Sequence, residues 1–227
     1  MTNPSGGPAP SGQRAGREPM LARIRAAVAA GAPATPAGPI PREYQREGRH
    51  LPGSDHVVEL LVDRLIDYRA EVTVIPADLL TRSVDAALAE AERVVVPPGL
   101  HPDARAGAEL RGRTVVVDGE PVALSAAELD AVDATVVGAS VAIAITGTII
   151  LSGQAHEGRR AISLVPDLLV VVLQLDQIVE TVPDGLRRLT STAPLTMISG
   201  PSATSDIELS RVEGVHGPRS LRVLIVS

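Results

Sequence analysis

The first segment with residue types suited to chemistry is rich in glycine and threonine. It combines Gly138 with the run Thr146, Gly147 and Thr148. Small side chains let backbone N–H groups approach a phosphate or carboxylate closely, so these four residues are candidate ligand contacts. Tight turns inside a crowded sheet use the same residue types, and that structural explanation stays open.

The second segment, residues 154–160, contains two adjacent arginines. Arg159 and Arg160 can each hold a carboxylate or phosphate through paired N–H groups. The chain has no lysine, so arginine has to supply the basic side chain that binds an anion. In the alternative, the segment is a solvent-exposed loop whose arginines pair with nearby acids.

The third segment, residues 199–208, adds hydroxyl groups and carboxylates, and residues 213–218 add an acid and an imidazole. The candidate ligand contacts are Ser199, Gly200, Ser202 and Thr204. The candidate catalytic groups, which could act as general acids or bases, are Asp206, Glu208, Glu213 and His216. No metal site is predicted, because the five histidines are scattered and the HExxH motif is absent.

The composition excludes several kinds of chemistry. The chain has no cysteine, so it offers no thiol nucleophile and no cysteine-ligated iron–sulfur cluster. Without lysine it forms no Schiff base. Tyr44 and Tyr68 are the only aromatic residues of the Phe, Trp and Tyr types, and two are too few to stack nucleic-acid bases. The cofactor is left undetermined, and the lack of disulfides fits a cytoplasmic location.

Predicted strands alternate with predicted helices from residue 51 onward. Strands are predicted at residues 72–75, 94–96, 114–117, 135–137, 141–145, 148–151, 168–173, 195–198 and 221–226. A first helix is predicted from a cap at Ser54 to about residue 69, and a second follows the strand at residues 72–75 and runs to about residue 92. A third is predicted after a capping box of Ser125 with Glu128, and a fourth over residues 183–189. This alternation predicts a three-layer α/β fold with a largely parallel sheet, in which ligands bind beyond the carboxyl ends of the strands.

Residues 1–50 are predicted to form a separate N-terminal arm with a short helix at residues 19–30. They hold seven arginines and three acids, a net charge of +4. Residues 51–227, predicted to form the α/β domain, carry 14 arginines and 24 acids, a net charge of −10 that disfavours nucleic-acid binding. The arm is either a docking element for an acidic surface or a solvated tail.

Residues 134–155 contain no Asp, Glu or Arg and are long enough to cross a bilayer. Glycine, serine and threonine interrupt this stretch, and its β-branched runs predict two buried strands around a Thr-Gly turn. We therefore expect no membrane span.

Five motifs in chain order resemble the lactate utilisation protein C family, which is defined by the LUD domain. They are residues 146–151, 158–167, 176–179, 199–208 and 211–219. Residues 40–44 and the helix near residues 21–28 are similar to the N-terminal arm of that family. The resemblance is clear over residues 130–227 and looser before them.

The resemblance implies a fold like the NagB/RpiA/CoA-transferase group. It also implies a role in bacterial oxidation of L-lactate to pyruvate, beside partner proteins that carry iron–sulfur clusters. One departure is Ile145, because members of the family usually have an acid before the Thr-Gly-Thr. The alternatives are a stand-alone enzyme or binding protein for a small anion (a sugar phosphate, CoA ester or folate), or a scaffold without a small-molecule site.

Overall fold

The computed structural model describes residues 12–31, 41–189, 194–204, 212–213 and 217–227. The chain divides into two units, Met1–Tyr44 and Gln45–Ser227. The described part of the first unit contains helix α1 (Gly12–Ala30), which is longer than the predicted helix and includes Pro19. The predicted division at residue 50 stays a prediction.

The second unit alternates strands with helices. Its helices are α2 (Asp55–Asp67), α3 (Leu80–Ala87), α4 (Pro102–Glu109), α5 (Ala126–Asp130) and α6 (Val182–Arg188). Its strands are β1 (Glu71–Ile75), β2 (Arg93–Val96), β3 (Thr114–Val117), β4 (Ala134–Gly138), β5 (Val141–Ile143), β6 (Thr148–Leu151), β7 (Leu168–Gln174), β8 (Ile178–Val179), β9 (Thr196–Ile198), β10 (Ala203–Thr204), β11 (Val212–Glu213) and β12 (Ser220–Val226).

Six strands form a parallel sheet in the order β1-β12-β7-β4-β2-β3. β7 lies inside this sheet and is almost wholly apolar because both of its faces are buried. Alternate side chains of β7 enter different cores: Leu169 and Leu173 pack on one face, and Val170 and Val172 on the other. Because successive side chains of a strand point to opposite faces, this one apolar run contributes to the cores on both sides of the sheet.

Helices and a smaller sheet cover the two faces of the parallel sheet. Helices α2 and α5 pack on one face together with a four-stranded sheet of order β8-β5-β6-β9, and α3 and α4 pack on the other face. The predicted α/β class with a largely parallel, helix-flanked sheet is confirmed. Likeness to the NagB/RpiA/CoA-transferase group stays a prediction.

Some elements differ from the predicted ones because tertiary packing decides them. Helix α4 is not predicted, since its buried residues are the small Ala104, Gly107 and Ala108, which leave no clear apolar stripe. The helix predicted to reach residue 92 ends at Ala87. The strand predicted at residues 141–145 ends at Ile143, and a 3-10 turn follows.

The two predicted serine caps have different outcomes. Ser125 accepts a hydrogen bond from the N–H of Glu128, whose carboxylate accepts from the N–H of Ser125 at 2.7 Å, so the capping box is confirmed. Ser54 precedes α2, but its Oγ makes no capping bond and has no hydrogen-bond partner in the described part of the chain. The predicted cap by the side chain of Ser54 is therefore wrong, although Ser54 does directly precede the helix. Among the described helices, none is both long and apolar enough to cross a membrane.

Candidate functional site

After two neighbouring strands of the large sheet, β2 and β4, the chain continues to opposite faces of that sheet. β2 leads to α4, which packs on one face, whereas β4 leads into the smaller sheet on the other face. β2 and β4 are hydrogen-bonded to each other, so the chain leaves adjacent carboxyl ends in opposite directions. A crevice forms at such a point, and open parallel sheets commonly bind ligands there.

A cleft of about 260 Å³ lies at this position. Its walls come from the loop after β2, the end of β4, the end of β7 and the loop after β6. It is lined by Gly99, Leu100, His101, Gly138, Ala139, His156, Val172, Gln174 and Gln177. Gly138 is the residue in this lining that belongs to the predicted ligand contacts.

Both histidines of the cleft have one ring nitrogen held by the backbone. Nε2 of His156 lies 3.2 Å from the carbonyl oxygen of Ala139, which also accepts from Nε2 of Gln177 at 2.6 Å. A carbonyl oxygen only accepts, so neutral His156 carries its proton on Nε2 and keeps a lone pair on Nδ1. Nδ1 of His101 accepts from the N–H of Asp103 at 3.3 Å, which leaves the proton of His101 on Nε2.

The carboxylate of Glu157, beside His156, joins three parts of the chain. Its side chain is fully buried, and Oε2 accepts from the N–H groups of Ser152 at 2.7 Å and Gln154 at 2.8 Å. Oε1 accepts from the hydroxyl of Ser140. Nε2 of His156 lies 3.8 Å from Oε1. Glu157 therefore holds the loop that carries His156 against the end of β6 and the start of β5.

Arg159 makes a paired contact with an acid of the same chain. Its Nε donates to Oδ2 of Asp118 at 2.6 Å and its Nη2 to Oδ1 at 2.9 Å, and it also donates to the carbonyl of Leu124. Burial works to raise the pKa of Asp118, but hydrogen bonds from Arg159 and from the N–H of Leu124 outweigh it, so this pKa lies below its ordinary value. This ion pair is the alternative that the sequence left open for Arg159, namely an arginine that pairs with an acid of its own chain. The neighbouring Arg160 is exposed.

Candidate residues of the first and third segments meet at the end of α2. Oγ1 of Thr148 and Oγ of Ser199 are 2.9 Å apart. Gly147 and Gly200 have φ values of 58° and 83° and both approach Tyr68. A Cβ atom on Gly200 would lie 2.6 Å from Cβ of Tyr68. These glycines therefore allow a close approach of loop and helix, away from the cleft lining.

The other predicted site residues lie in varied places. Thr146 is the last residue of the 3-10 turn before Gly147. The N–H of Ser202 donates to the carbonyl of Pro218, and β10, which ends at Thr204, pairs with β11, which ends at Glu213. The candidates that lie outside the described residues are Asp206, Glu208 and His216. Within the described ranges, no group of three His, Asp or Glu side chains could hold a metal ion.

Residues 48–50, at the start of the second unit, are held by two acids. The N–H of Gly48 donates to Asp184 at 2.8 Å, and the N–H of His50 donates to Glu180 at 2.8 Å. The N–H of His50 is the main cause that lowers the pKa of Glu180. Burial raises the pKa of Asp184, but hydrogen bonds from Thr181 and Gly48 outweigh it and the pKa is lowered. Both acids therefore have a structural partner.

Sequence reasoning missed most of the cleft lining. Gln174 directly follows the apolar run of a predicted strand, and His101 comes a few residues after another, so position beyond a strand end was an available signal. His156 lies in the second segment without being among its predicted contacts. The meeting of these residues depends on the order of the strands, which the sequence patterns do not specify.

The comparisons with known proteins agree on one family. The LUD domain matches residues 69–226. Over 212 residues the chain is 43% identical to a Deinococcus radiodurans protein named Lactate utilization protein C, covering 91% of this chain and 93% of that protein. The uncharacterized protein YkgG of Escherichia coli is 35% identical over 89 residues, 36% of this chain and 38% of that protein. A crystal structure of a DUF162 family protein from Deinococcus radiodurans has a TM-score of 0.65 and 40% identity, covering 76% of this chain and 97% of that chain.

Proposed function

The chain belongs to the LUD domain family, and from that premise we propose that it is a subunit of a bacterial system that oxidises L-lactate to pyruvate. One observation carries the proposal: the 43% identity to Lactate utilization protein C of Deinococcus radiodurans extends over nearly the whole of both chains. The name of that protein assigns it to lactate use, and identity at this level supports a lactate utilisation role here.

The proposal includes iron–sulfur partner proteins. Conversion of lactate to pyruvate releases two electrons, and this chain has no cysteine with which to ligate a cluster. The partners would therefore receive the electrons. The arm of residues 1–50, with its net charge of +4, is the proposed docking element for an acidic surface, and the system is proposed to work in the cytoplasm.

Growth on lactate tests the proposed role. Deletion of the gene for this chain in its own host should abolish growth on L-lactate as the carbon source and leave growth on pyruvate unchanged. Expression of the intact chain should restore growth. Unimpaired growth of the deletion strain on L-lactate would refute the proposal.

Affinity purification tests the partners and the arm. The tagged chain from lactate-grown cells should bring down proteins that contain iron–sulfur clusters. A full-length variant with Arg17, Arg23 and Arg25 changed to Gln should bring down less of them, since the charge of the arm is reduced. An equal yield from variant and wild type would exclude the arm as the docking element.

A second candidate is a protein that binds a small anionic ligand such as a sugar phosphate, CoA ester or folate. The cleft beside β2 and β4 favours a small-ligand site, because its position is one where parallel sheets commonly bind ligands, whereas a CoA ester would reach beyond it. Thermal-shift measurements with lactate, CoA, nucleotides and sugar phosphates distinguish the two. A rise in melting temperature with CoA or a sugar phosphate, and not with lactate, would favour this second candidate.

A further inference from the structure

The cleft at the ends of β2 and β4 has a polar lining. Among the described residues that form it, none carries a carboxylate or a guanidinium group. Its polar side chains are His101, His156, Gln174 and Gln177. A ligand held here therefore depends on directed hydrogen bonds rather than on an opposite charge.

The hydrogen bonds already made in the cleft decide which atoms remain for a ligand. His101 keeps an Nε2–H donor, because its Nδ1 accepts from the backbone. His156 keeps an Nδ1 acceptor, because its Nε2–H faces the carbonyl of Ala139. The side-chain oxygen of Gln174 accepts from the N–H of Gln177, which leaves the amide N–H groups of Gln174. His101 and Gln174 thus offer donors, Gln177 keeps a second amide N–H beside the one bonded to Ala139, and His156 offers an acceptor.

The volume of the cleft sets the size of a ligand that it can enclose. About 260 Å³ is slightly below the usual range for sites of drug-sized molecules, roughly 300–1,000 Å³. A compound of a few heavy atoms fits such a space, whereas a nucleotide or a CoA ester would extend far beyond it.

We infer that this cleft binds a small 2-hydroxycarboxylate of the size of lactate. The carboxylate accepts from His101 Nε2–H and from the amide of Gln174, and the hydroxyl group donates to His156 Nδ1. Such a ligand has acceptor and donor groups on adjacent carbons, which matches the donors of His101 and Gln174 and the acceptor of His156 around a small space. The choice of a 2-hydroxycarboxylate rests on the proposed function, and the assignment concerns binding alone.

Ligand titration followed by NMR of the imidazole groups tests the inference on the full chain. The chain has only five histidines, so each signal can be assigned with single His variants. In the free protein, both His101 and His156 should carry the proton on Nε2. L-Lactate should shift the signals of these two residues in a saturable way. Propionate, which lacks the hydroxyl, and propane-1,2-diol, which lacks the carboxylate, should each bind roughly tenfold more weakly, since each loses a paired group.

Two variants remove the ligand contacts and keep the local fold. His101→Asn retains a side-chain acceptor for the N–H of Asp103 and loses the Nε2–H donor. His156→Leu removes the Nδ1 acceptor, and the carbonyl of Ala139 keeps its hydrogen bond from Gln177. Each variant should weaken lactate binding roughly tenfold or more with an unchanged melting temperature. His56→Gln, outside the cleft lining, is the matched control and should bind like the wild type.

The inference is overturned if lactate shifts neither His101 nor His156, if either ring carries its proton on Nδ1, or if propionate binds as tightly as lactate. The growth experiment keeps the two claims apart. If lactate does not bind but gene deletion abolishes growth on lactate, the cleft assignment fails and the proposed function stands. If deletion leaves growth on lactate intact, the proposed function fails whatever the titration shows.

Discussion

Replacement of Arg159 by alanine should destabilise the protein, because it leaves the carboxylate of Asp118 without its main partner. The side chain of Asp118 is 4% exposed and that of Arg159 is 39% exposed. Removal of one partner from a fully buried ion pair costs about 3–5 kcal/mol. Here water can reach the pair from the arginine side and the N–H of Leu124 remains bonded to the carboxylate, so we expect a loss of about 2 kcal/mol in the free energy of unfolding.

The loss should depend on pH in a defined direction. The pKa of Asp118 is lowered in the folded protein, so its contribution to stability is present above the ordinary value of about 3.9 and is lost as the pH falls through the lowered value. At low pH the carboxyl group of Asp118 is protonated and uncharged, so the loss of the guanidinium in the Arg159→Ala variant costs less free energy of unfolding. The stability difference between wild type and variant should therefore be larger at pH 7 than near pH 3.

Urea unfolding at both pH values, together with thermal melts, measures this difference. For a protein of 150–250 residues, a loss of about 2 kcal/mol lowers the melting temperature by about 4–8 °C. Arg160→Ala is the matched control, since Arg160 is adjacent and exposed, and its change should stay within about 0.5 kcal/mol. Equal stability of the two variants at pH 7 would refute the reasoning. Loss of growth on lactate by a fully stable Arg159→Ala variant would instead support the anion-binding role considered from the sequence.

Five other substitutions test further contacts of the fold. Glu157→Gln should cost about 1–2 kcal/mol in urea unfolding, because a neutral amide oxygen accepts from the N–H groups of Ser152 and Gln154 more weakly than the carboxylate does; wild-type stability would contradict the contacts of Glu157. Ser54→Ala should be neutral or stabilising, whereas Ser125→Ala should lose about 1 kcal/mol, and equal losses would contradict the difference in capping. Gly200→Ala should cost about 3 kcal/mol, from a positive φ and a clash with the end of α2. Gly119→Ala, with a positive φ but open space around a Cβ, should cost clearly less, and equal melting temperatures would remove the clash from the explanation.

Local patterns were sufficient for much of the fold. The strands at residues 114–117 and 148–151 have the predicted bounds, because a short β-branched run between turn residues specifies a strand by itself. The capping box before α5 depends on residues three positions apart, so it also follows from local sequence. The family was evident for the same reason, since each of its motifs is a continuous segment of chain.

The candidate site was predictable only in part. Gly138 was recognised as a residue at a strand end, and it lines the cleft. His101 and Gln174 were not, because they belong to no motif and their proximity depends on strand order. Arg159 was recognised as a group that binds a carboxylate, but Asp118, 41 residues away in the chain, is the carboxylate that the structure places against it.

The sequence by itself determined most of the elements, the α/β class and the family, because periodicity, turn residues and continuous motifs act over a few residues. Only the tertiary structure decided that β2 lies beside β4 and that a small polar cleft forms at their carboxyl ends. It also decided which nitrogen of each cleft histidine remains for a ligand, since the backbone groups that hold the other nitrogen have to be in place first. These properties depend on pairings between distant parts of the chain, and the free energy of those pairings comes from packing of the whole sheet rather than from any one segment.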